Sequence, residues 1–481
     1  MQCCIILTMS IDCRLFSDYP YEGAYNCDQP HYDVNKPRMK QLFWENYEYI
    51  KELDRLGKAR PVVLDTVQKA LLCRTEYLGY DAFECPSCGN EFLVYHHCHC
   101  KLCPSCGVKA QRKLEVQAEH MCLDVKHRHM IFTIPEEFRI WFRKDRSALN
   151  LLFVAARNTI CKIVNDKIYR KMKNKQGKSG KVSNPKDNLY LFRNYKSAIQ
   201  FGMIATLHTF GRDLKWNPHI HCLVPELVYD PANDSYKMFH YFNYESLRKT
   251  WQYELTRLMS QNFGKQFDRL KTMSYKSKRL GFYVYAKERK ESKDDTADNG
   301  KKYKKNIKGC VNYMIRYASR PAMAESRLIS YNRKTNTVKW WYEDHRTEER
   351  VEVTESGRSL MEKLIIHIPD EHFRMVRYYG FYHPKNTKTL DHIHDLLGEE
   401  RHEDYSKETR NRLKSKALNK LKFRTFLMDT YNRDILRCPC GDTLVYVATY
   451  NPLEKKKNDR AYRQDCIDEM RRLSKPRRAP C

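Results

Sequence analysis

A chain of 481 residues with 88 Lys+Arg against 59 Asp+Glu carries a formal charge of +29, an excess that points to a polyanionic partner. With 41% hydrophobic and 12% aromatic residues it can bury a core, which excludes a wholly disordered protein. No run approaches the roughly 20 apolar residues of a membrane span, and the length suggests two to four domains of about 150 residues.

In chain order, residues 1–35 form a poorly defined lead-in. Its apolar start, Met1 to Met9, is broken by Cys3 and Cys4 and lacks the basic leader and cleavage site of an export signal. A cytoplasmic location is therefore expected. From Lys40 to Leu72 the pattern is helical: Leu42, Phe43, Tyr47 and Ile50 recur at three- and four-residue spacings, and Val62, Val63, Val67, Leu71 and Leu72 resume after Pro61. A cysteine cluster follows at 73–106. His129 to Ile134 is a β-prone run stopped by Pro135. Ala148 to Met172 reads as an amphipathic helix, and Lys173 to Asp187 as a polar basic loop. Gln200 to Thr209 and His219 to Val224 are two further β-prone runs, joined by a turn-like stretch from Gly211 to Pro218. Lys287 to Lys308 is almost devoid of apolar residues and reads as a flexible insert. A β-rich segment is expected around Lys339 to Ile366. From Arg401 onward, 21 Lys+Arg face 11 Asp+Glu, a basic helical tail. The expected organisation is a helical, Cys-rich domain at 36–112 and a larger mixed domain at 113–330. A β-rich segment at 331–400 and the tail at 401–481 complete it.

Nineteen cysteines would suit a secreted disulfide protein, but seven of them, Cys73, Cys85, Cys88, Cys98, Cys100, Cys103 and Cys106, lie within 34 residues. In a long chain without an export signal, clustered Cys-x-x-Cys pairs read as metal ligands in a reducing compartment. Cys85-Pro-Ser-Cys88-Gly and Cys103-Pro-Ser-Cys106-Gly are nearly one knuckle written twice, with 14 residues between. Two such knuckles make a tetrahedral Cys4 zinc site, closed to chemistry and therefore structural. Cys98, Cys100, His96, His97 and His99 remain surplus, as ligands of a second ion or residues of a polar loop. Cys438-Pro-Cys440-Gly is spaced too closely for an ordinary knuckle and reads as degraded.

His219-Ile-His221 places two imidazoles on one face of a strand, where they can share a divalent ion. A bare His-x-His also occurs by chance, with the histidines merely hydrogen-bonded. Tyr313-Met-Ile-Arg-Tyr317 places two phenols on one face of a helix. That spacing equally fits an aromatic core stripe, but Arg316, Arg320 and Lys308 make a cationic neighbourhood unusual for one. A phenol with a pKa near 10 needs a metal-polarised phosphate and basic neighbours to attack at neutral pH.

These pieces, in order, resemble the two-tyrosine transposases of the insertion-sequence-91 group, whose catalytic strand carries the His-hydrophobic-His motif (HUH). The resemblance rests on Arg60-Pro-Val-Val, Leu72-Cys73-Arg74-Thr75, Cys85-x-x-Cys88-Gly and Cys98-x4-Cys103-Pro-x-Cys106. It continues through His129-Met-Ile-Phe-Thr-Ile-Pro135, His208-Thr-Phe-Gly211, Asn217-Pro-His219-Ile-His221 and Tyr313-x3-Tyr317 with Arg320-Pro321. It closes on Phe373-Arg374 and Arg377-Tyr-Tyr-Gly380-Phe, so it covers about residues 60–385. The resemblance implies an α+β HUH endonuclease domain, an antiparallel sheet with packed helices, preceded by a small zinc module. It implies cleavage and rejoining of single-stranded DNA at the ends of a mobile element through a 5′-phosphotyrosine, with no nucleotide cofactor. Tyr313 and Tyr317 would be the nucleophiles, and His219 and His221 would hold Mg²⁺ or Mn²⁺. His208 is the candidate third ligand, and Arg316, Arg320 and Arg377 are candidate phosphate contacts. A plasmid relaxase, a rolling-circle replication initiator and an inactive zinc-dependent DNA-binding protein stay open at this point, as does the oligomeric state.

Overall fold

The computed structural model describes residues 37–166, 199–239, 243–286, 321–344, 347–400, 424–425, 428, 434, 436–452 and 459–473. The lead-in, the Lys173 loop, the 287–308 insert and the segment bearing Tyr313, Arg316, Tyr317 and Arg320 lie outside them.

The protein is α+β. Three helices open it, α1 (Met39–Glu45), α2 (Tyr47–Arg55) and α3 (Pro61–Leu71). Pro61 sits at the first position of α3, where its missing N–H costs nothing and its fixed φ suits the helix. A hairpin of β1 (Tyr80–Glu84) and β2 (Glu91–Tyr95) leads into α4 (Pro104–Met121). Then follow β3 (His127–Phe132), α5 (Glu136–Lys144), α6 (Leu149–Val164), β4 (Gln200–Phe210), β5 (Trp216–Pro225), β6 (Leu227–Asp230) and β7 (Ser235–Met238). Next are α7 (Tyr244–Phe263), α8 (Lys265–Ser277), β8 (Val284–Tyr285), β9 (Leu328–Asn332), β10 (Thr337–Glu343), β11 (Arg350–Ser356) and α9 (Gly357–Ile365). The chain ends with β12 (Val376–Gly380), α10 (Thr387–Glu400), β13 (Val445–Tyr450) and α11 (Arg460–Leu473).

The central sheet runs β7-β6-β4-β5-β3-β8, with β12 also paired to β4 and each pairing antiparallel. Alternation along β4 and β5 sorts their side chains to two faces. Met203, Ala205, Leu207, Ile220 and Cys222 meet Phe138, Phe142, Phe153, Ile160, Trp251 and Met259 in one core. The opposite parity carries Thr206, His208, His219 and His221. The helical stretch Arg146–Val164, which contains α6, is long and apolar enough to cross a bilayer by length and composition alone, but here it lies in the core, with Leu152, Phe153, Ala155, Ala156 and Ile160 fully buried. Beneath the sheet margin, Arg128 and Glu226 form a buried ion pair at 2.5 Å. Removing either partner would strand a charge in the interior.

A second core joins α1, α2 and α3 to β10, α9 and α11 through Leu42, Phe43, Val67, Leu71, Trp340, Leu360, Met361 and Ile467. Three expectations change here. The segment expected to be β-rich to Ile366 turns helical at Gly357, where the Ser356 side chain caps α9 by accepting from Ser359 N. The boundary at 330/331 does not separate two bodies, because β12 extends the central sheet with Val376 opposite Thr206 and Gly380 opposite Gly202. In the stretch expected to be a basic helical tail from 401, the described residues include a strand and pack on the N-terminal elements. β13 pairs with β1, and Arg463, fully buried, binds Asp65 at 2.7 Å and donates to Gln68 Oε1 at 3.1 Å.

Candidate metal centres

The β4–β5 hairpin sets His208 directly opposite His219, and Thr206 opposite His221. The three imidazoles therefore converge on one sheet face, with possible ligand atoms all within 4.8 Å of one another. Ring centroids stand 3.8 Å apart for His208 and His221, 4.9 Å for His219 and His221, and 5.3 Å for His208 and His219. His219 Nδ1 lies 2.7 Å from the Asn217 carbonyl. A carbonyl can only accept, so Nδ1 carries a proton, and Nε2 is the atom left to face a metal. Burial, together with His208, His219 and His129 nearby, holds His221 well below its ordinary pKa. The ring is thus neutral at pH 7, the form a metal requires.

A fourth histidine joins from the neighbouring strand. β3 pairs with β5 so that Ile131 faces His221, and His129, two residues earlier, shares that face. Its Nε2 is 2.8 Å from His221 Nδ1, with the rings stacked at 5.0 Å. For His221 to offer Nε2 to a metal, its Nδ1 must donate to His129, an outer partner of the kind that fixes tautomer and ring orientation. The Thr206 hydroxyl, on the same face and fully buried, has no hydrogen-bond partner among the described residues. Three converging imidazoles and an unsatisfied buried hydroxyl fit a divalent ion with oxygen ligands completing its shell.

The cysteines assemble differently from the expected quartet of Cys85, Cys88, Cys103 and Cys106. One group is Cys73, Cys98, Cys103 and Cys106, and the other is Cys85, Cys88, Cys438 and Cys440. The reason is the hairpin. Cys85 and Cys88 sit in its turn, and β2 then carries the chain away at about 3.3 Å per residue, so the second knuckle begins α4 at the other end. There Cys103 Sγ lies 3.7 Å from Cys73 Sγ, and Cys106 Sγ lies 3.6 Å from Cys73 Sγ and 3.5 Å from Cys98 Sγ. Tetrahedral Zn–S bonds of about 2.3 Å place sulfurs about 3.8 Å apart. The Cys98 amide donates to Cys73 Sγ and the Cys100 amide to Cys98 Sγ, each at 3.4 Å. Cys98 is thus a member of the first group rather than surplus. Cys100 points back to the Cys98 carbonyl at 3.3 Å, and His96 is held by Leu78 O and Asp81, each at 3.2 Å.

Arg377, expected to contact phosphate, is engaged elsewhere. It pairs in register with Ala205, which puts it on the helical face, opposite the histidines. Its guanidinium lies 4.2 Å from the Phe153 ring and binds Asn150. Cys73, Cys438, Cys440 and His129 were not assigned as site residues from the sequence. Cys73 and His129 stand within the stretches that carry the resemblance, but nothing local distinguishes their roles.

Two family models match the chain. "Transposase zinc-binding domain" covers residues 41–134, and "Putative transposase" covers residues 202–389. The chain is 27% identical over 350 residues to the transposase for insertion sequence element IS801 of Pseudomonas savastanoi pv. phaseolicola, covering 71% of this chain and 75% of that one. It is 24% identical over 357 residues to "Putative transposase y4qJ" of Sinorhizobium fredii (strain NBRC 101917 / NGR234), covering 71% and 81%. No solved structure matches.

Proposed function

We infer that this chain, which belongs to the insertion-sequence-91 family of transposases with an N-terminal zinc-binding domain, cuts and rejoins single-stranded DNA at the ends of a mobile element in a bacterial cytoplasm. It is a DNA-cleaving enzyme with structural zinc, and the reading goes further to a HUH strand transferase. The observation that carries it is the convergence of His208, His219 and His221 on one face of two paired strands.

In this reading the three histidines hold Mn²⁺ or Mg²⁺, which would polarise a phosphate oxygen and offset developing charge. The Tyr313 oxygen attacks phosphorus, the bond to the 3′ oxygen breaks, and the proton lost by the phenol is balanced by one gained at the 3′-OH. The 5′ end stays on tyrosine, so the phosphodiester energy is kept and no nucleotide cofactor is needed. Tyr317 accepts the second strand end, and Arg316 and Arg320 contact phosphates. His129 orients His221, and the Asn217 carbonyl orients His219.

Purified protein with Mn²⁺ and single-stranded oligonucleotides from the element ends should give a denaturation-resistant adduct on the 5′ side. Tyr313→Phe with Tyr317→Phe should abolish it, and an adduct surviving in the double variant would overturn the assignment. His219→Ala should lose cleavage while keeping DNA binding, and retained cleavage would move the metal elsewhere.

A further inference from the structure

We infer that the protein carries two separate zinc ions, and that the second, held by Cys85, Cys88, Cys438 and Cys440, clasps the C-terminal segment to the N-terminal hairpin. This inference is independent of the cleavage chemistry. Neither matched family region reaches residue 438, so the second pair of ligands lies outside the zinc-binding domain as matched.

The geometry is that of a built site. Cys85 Sγ lies 3.4 Å from Cys440 Sγ, and Cys88 Sγ lies 3.5 Å from Cys438 Sγ. These spacings are far beyond the ~2.05 Å of a disulfide and near the sulfur–sulfur separation of tetrahedral Zn–S4. Each pair sits in a turn closed by its own backbone. Cys85 N donates to Asn90 O at 3.0 Å and Gly89 N to Cys85 O at 2.8 Å, while Cys438 N donates to Asp442 O at 2.8 Å and Gly441 N to Cys438 O at 2.9 Å. Gly89 and Gly441 follow the last cysteine of each pair with φ of +67° and +99°, the left-handed region that a side chain would oppose. The Ser87 hydroxyl donates to Asp442 across the two turns, and Asn90 Nδ2 approaches Cys438 Sγ at 3.9 Å. The one-residue gap of Cys438-Pro-Cys440 is therefore a working half-site and not a decayed knuckle.

Burial alone gives the clasp little else to stand on. β13 pairs with β1 from Tyr80–Tyr450 to Glu84–Val445, yet Val445, Tyr446, Val447 and Tyr450 are each more than half exposed. Among the described residues the apolar cluster beneath is Phe83, Cys85, Cys438 and Leu444, flanked by Phe92, Val94 and Leu436. A three-stranded sheet with so small a core is marginal without a further tie, and thiolates from segments about 350 residues apart supply one. Four cysteine sulfurs gathered within 4.8 Å of one another suit zinc or an Fe–S cluster, and a closed Cys4 set with structural spacing is the arrangement of a zinc site.

The test uses the full-length protein as purified. Elemental analysis should give two zinc per chain, and Cys438→Ser with Cys440→Ser should give one. A wild-type value of one, or two zinc retained by the variant, would overturn the inference. Should the variant be insoluble, alkylation of the wild type decides. Cys88 and Cys440 are exposed, so they should resist a maleimide in the zinc-loaded protein and react after chelation. Rapid labelling of both before chelation would refute the site. Hydrogen exchange at residues 445–450 should speed at least tenfold in the variant while β3–β5 stay protected. Unchanged protection would show that zinc does not hold the strand.

Discussion

His129→Ala tests whether a fourth histidine governs the metal site without touching the ion. His129 Nε2 sits 2.8 Å from His221 Nδ1, and a metal on His221 Nε2 requires the proton on Nδ1. Removing His129 leaves that N–H without its acceptor and lets the ring turn or change tautomer. Loss of such an outer partner typically weakens metal affinity 10- to 100-fold, about 1.4–2.7 kcal/mol. Calorimetric titration of Mn²⁺ into wild type, His129→Ala and His129→Gln would measure it. A Gln carbonyl can accept from His221, so that variant should recover part of the affinity. Unfolding without Mn²⁺ should shift alike in both variants, which separates orientation of the ligand from general packing. Mn²⁺ affinity within twofold of wild type in His129→Ala would refute the reasoning, as would an equal loss in both variants.

Acid should destabilise the fold through two buried histidines that are not among the candidate metal ligands. Burial pushes His127 to about 4 and His367 to about 3, so both are neutral when folded, while the unfolded chain binds protons near pH 6.5. Their contribution is complete above pH 6.5 and is lost as pH falls towards 4, by up to about 3 kcal/mol for His127. Urea midpoints from pH 7 to pH 4.5 should fall in wild type and less steeply in His127→Gln, and parallel slopes would contradict the assignment. Arg377→Ala should cost roughly 1–2 kcal/mol by losing its aromatic stack and the bond to Asn150. It should leave the salt dependence of DNA affinity unchanged. A slope smaller by about one would restore Arg377 as a phosphate contact.

The elements that periodicity could reach were legible. The runs at Gln200–Thr209 and His219–Val224 are strands β4 and β5, and the helical spacing from Lys40 to Leu72 resolves into α1, α2 and α3. The α+β class follows from them. What local pattern could not provide is register between distant strands. Arg377 stands in a stretch of basic and aromatic residues that reads equally well facing DNA or core. Only the pairing of Val376 with Thr206 decides that it faces Phe153. His129 is the converse case, since its strand was recognised but its parity relative to His221 depends on β3 pairing with β5 at Ile131. The zinc ligands failed for the same reason at longer range. Two similar knuckles 14 residues apart invite pairing with each other, whereas the hairpin between them carries the second to Cys73 and leaves the first for Cys438 and Cys440.

The charge shows how such long-range contacts alter a reading drawn from composition. The basic excess after residue 401 reads as part of the charge that awaits a polyanion, yet several of its arginines are paired within the molecule. Arg460 bridges Asp54 at 3.1 Å and Asp65 at 2.8 Å, Arg463 is buried against Asp65, and Arg471 pairs with Glu48 and lies 5.3 Å from the Trp44 ring. Charges held this way release few counterions when DNA arrives, so they add little to a salt-dependent affinity. They join α11 to α1, α2 and α3, in the body that also carries the first zinc cluster, while the second cluster ties β13 to the neighbouring hairpin. Among the described residues of the C-terminal segment, β13 and α11 thus pack with the N-terminal helices and hairpin. The segment's basic residues act first on how the two ends of the chain assemble, and only the remainder is available to a polyanion.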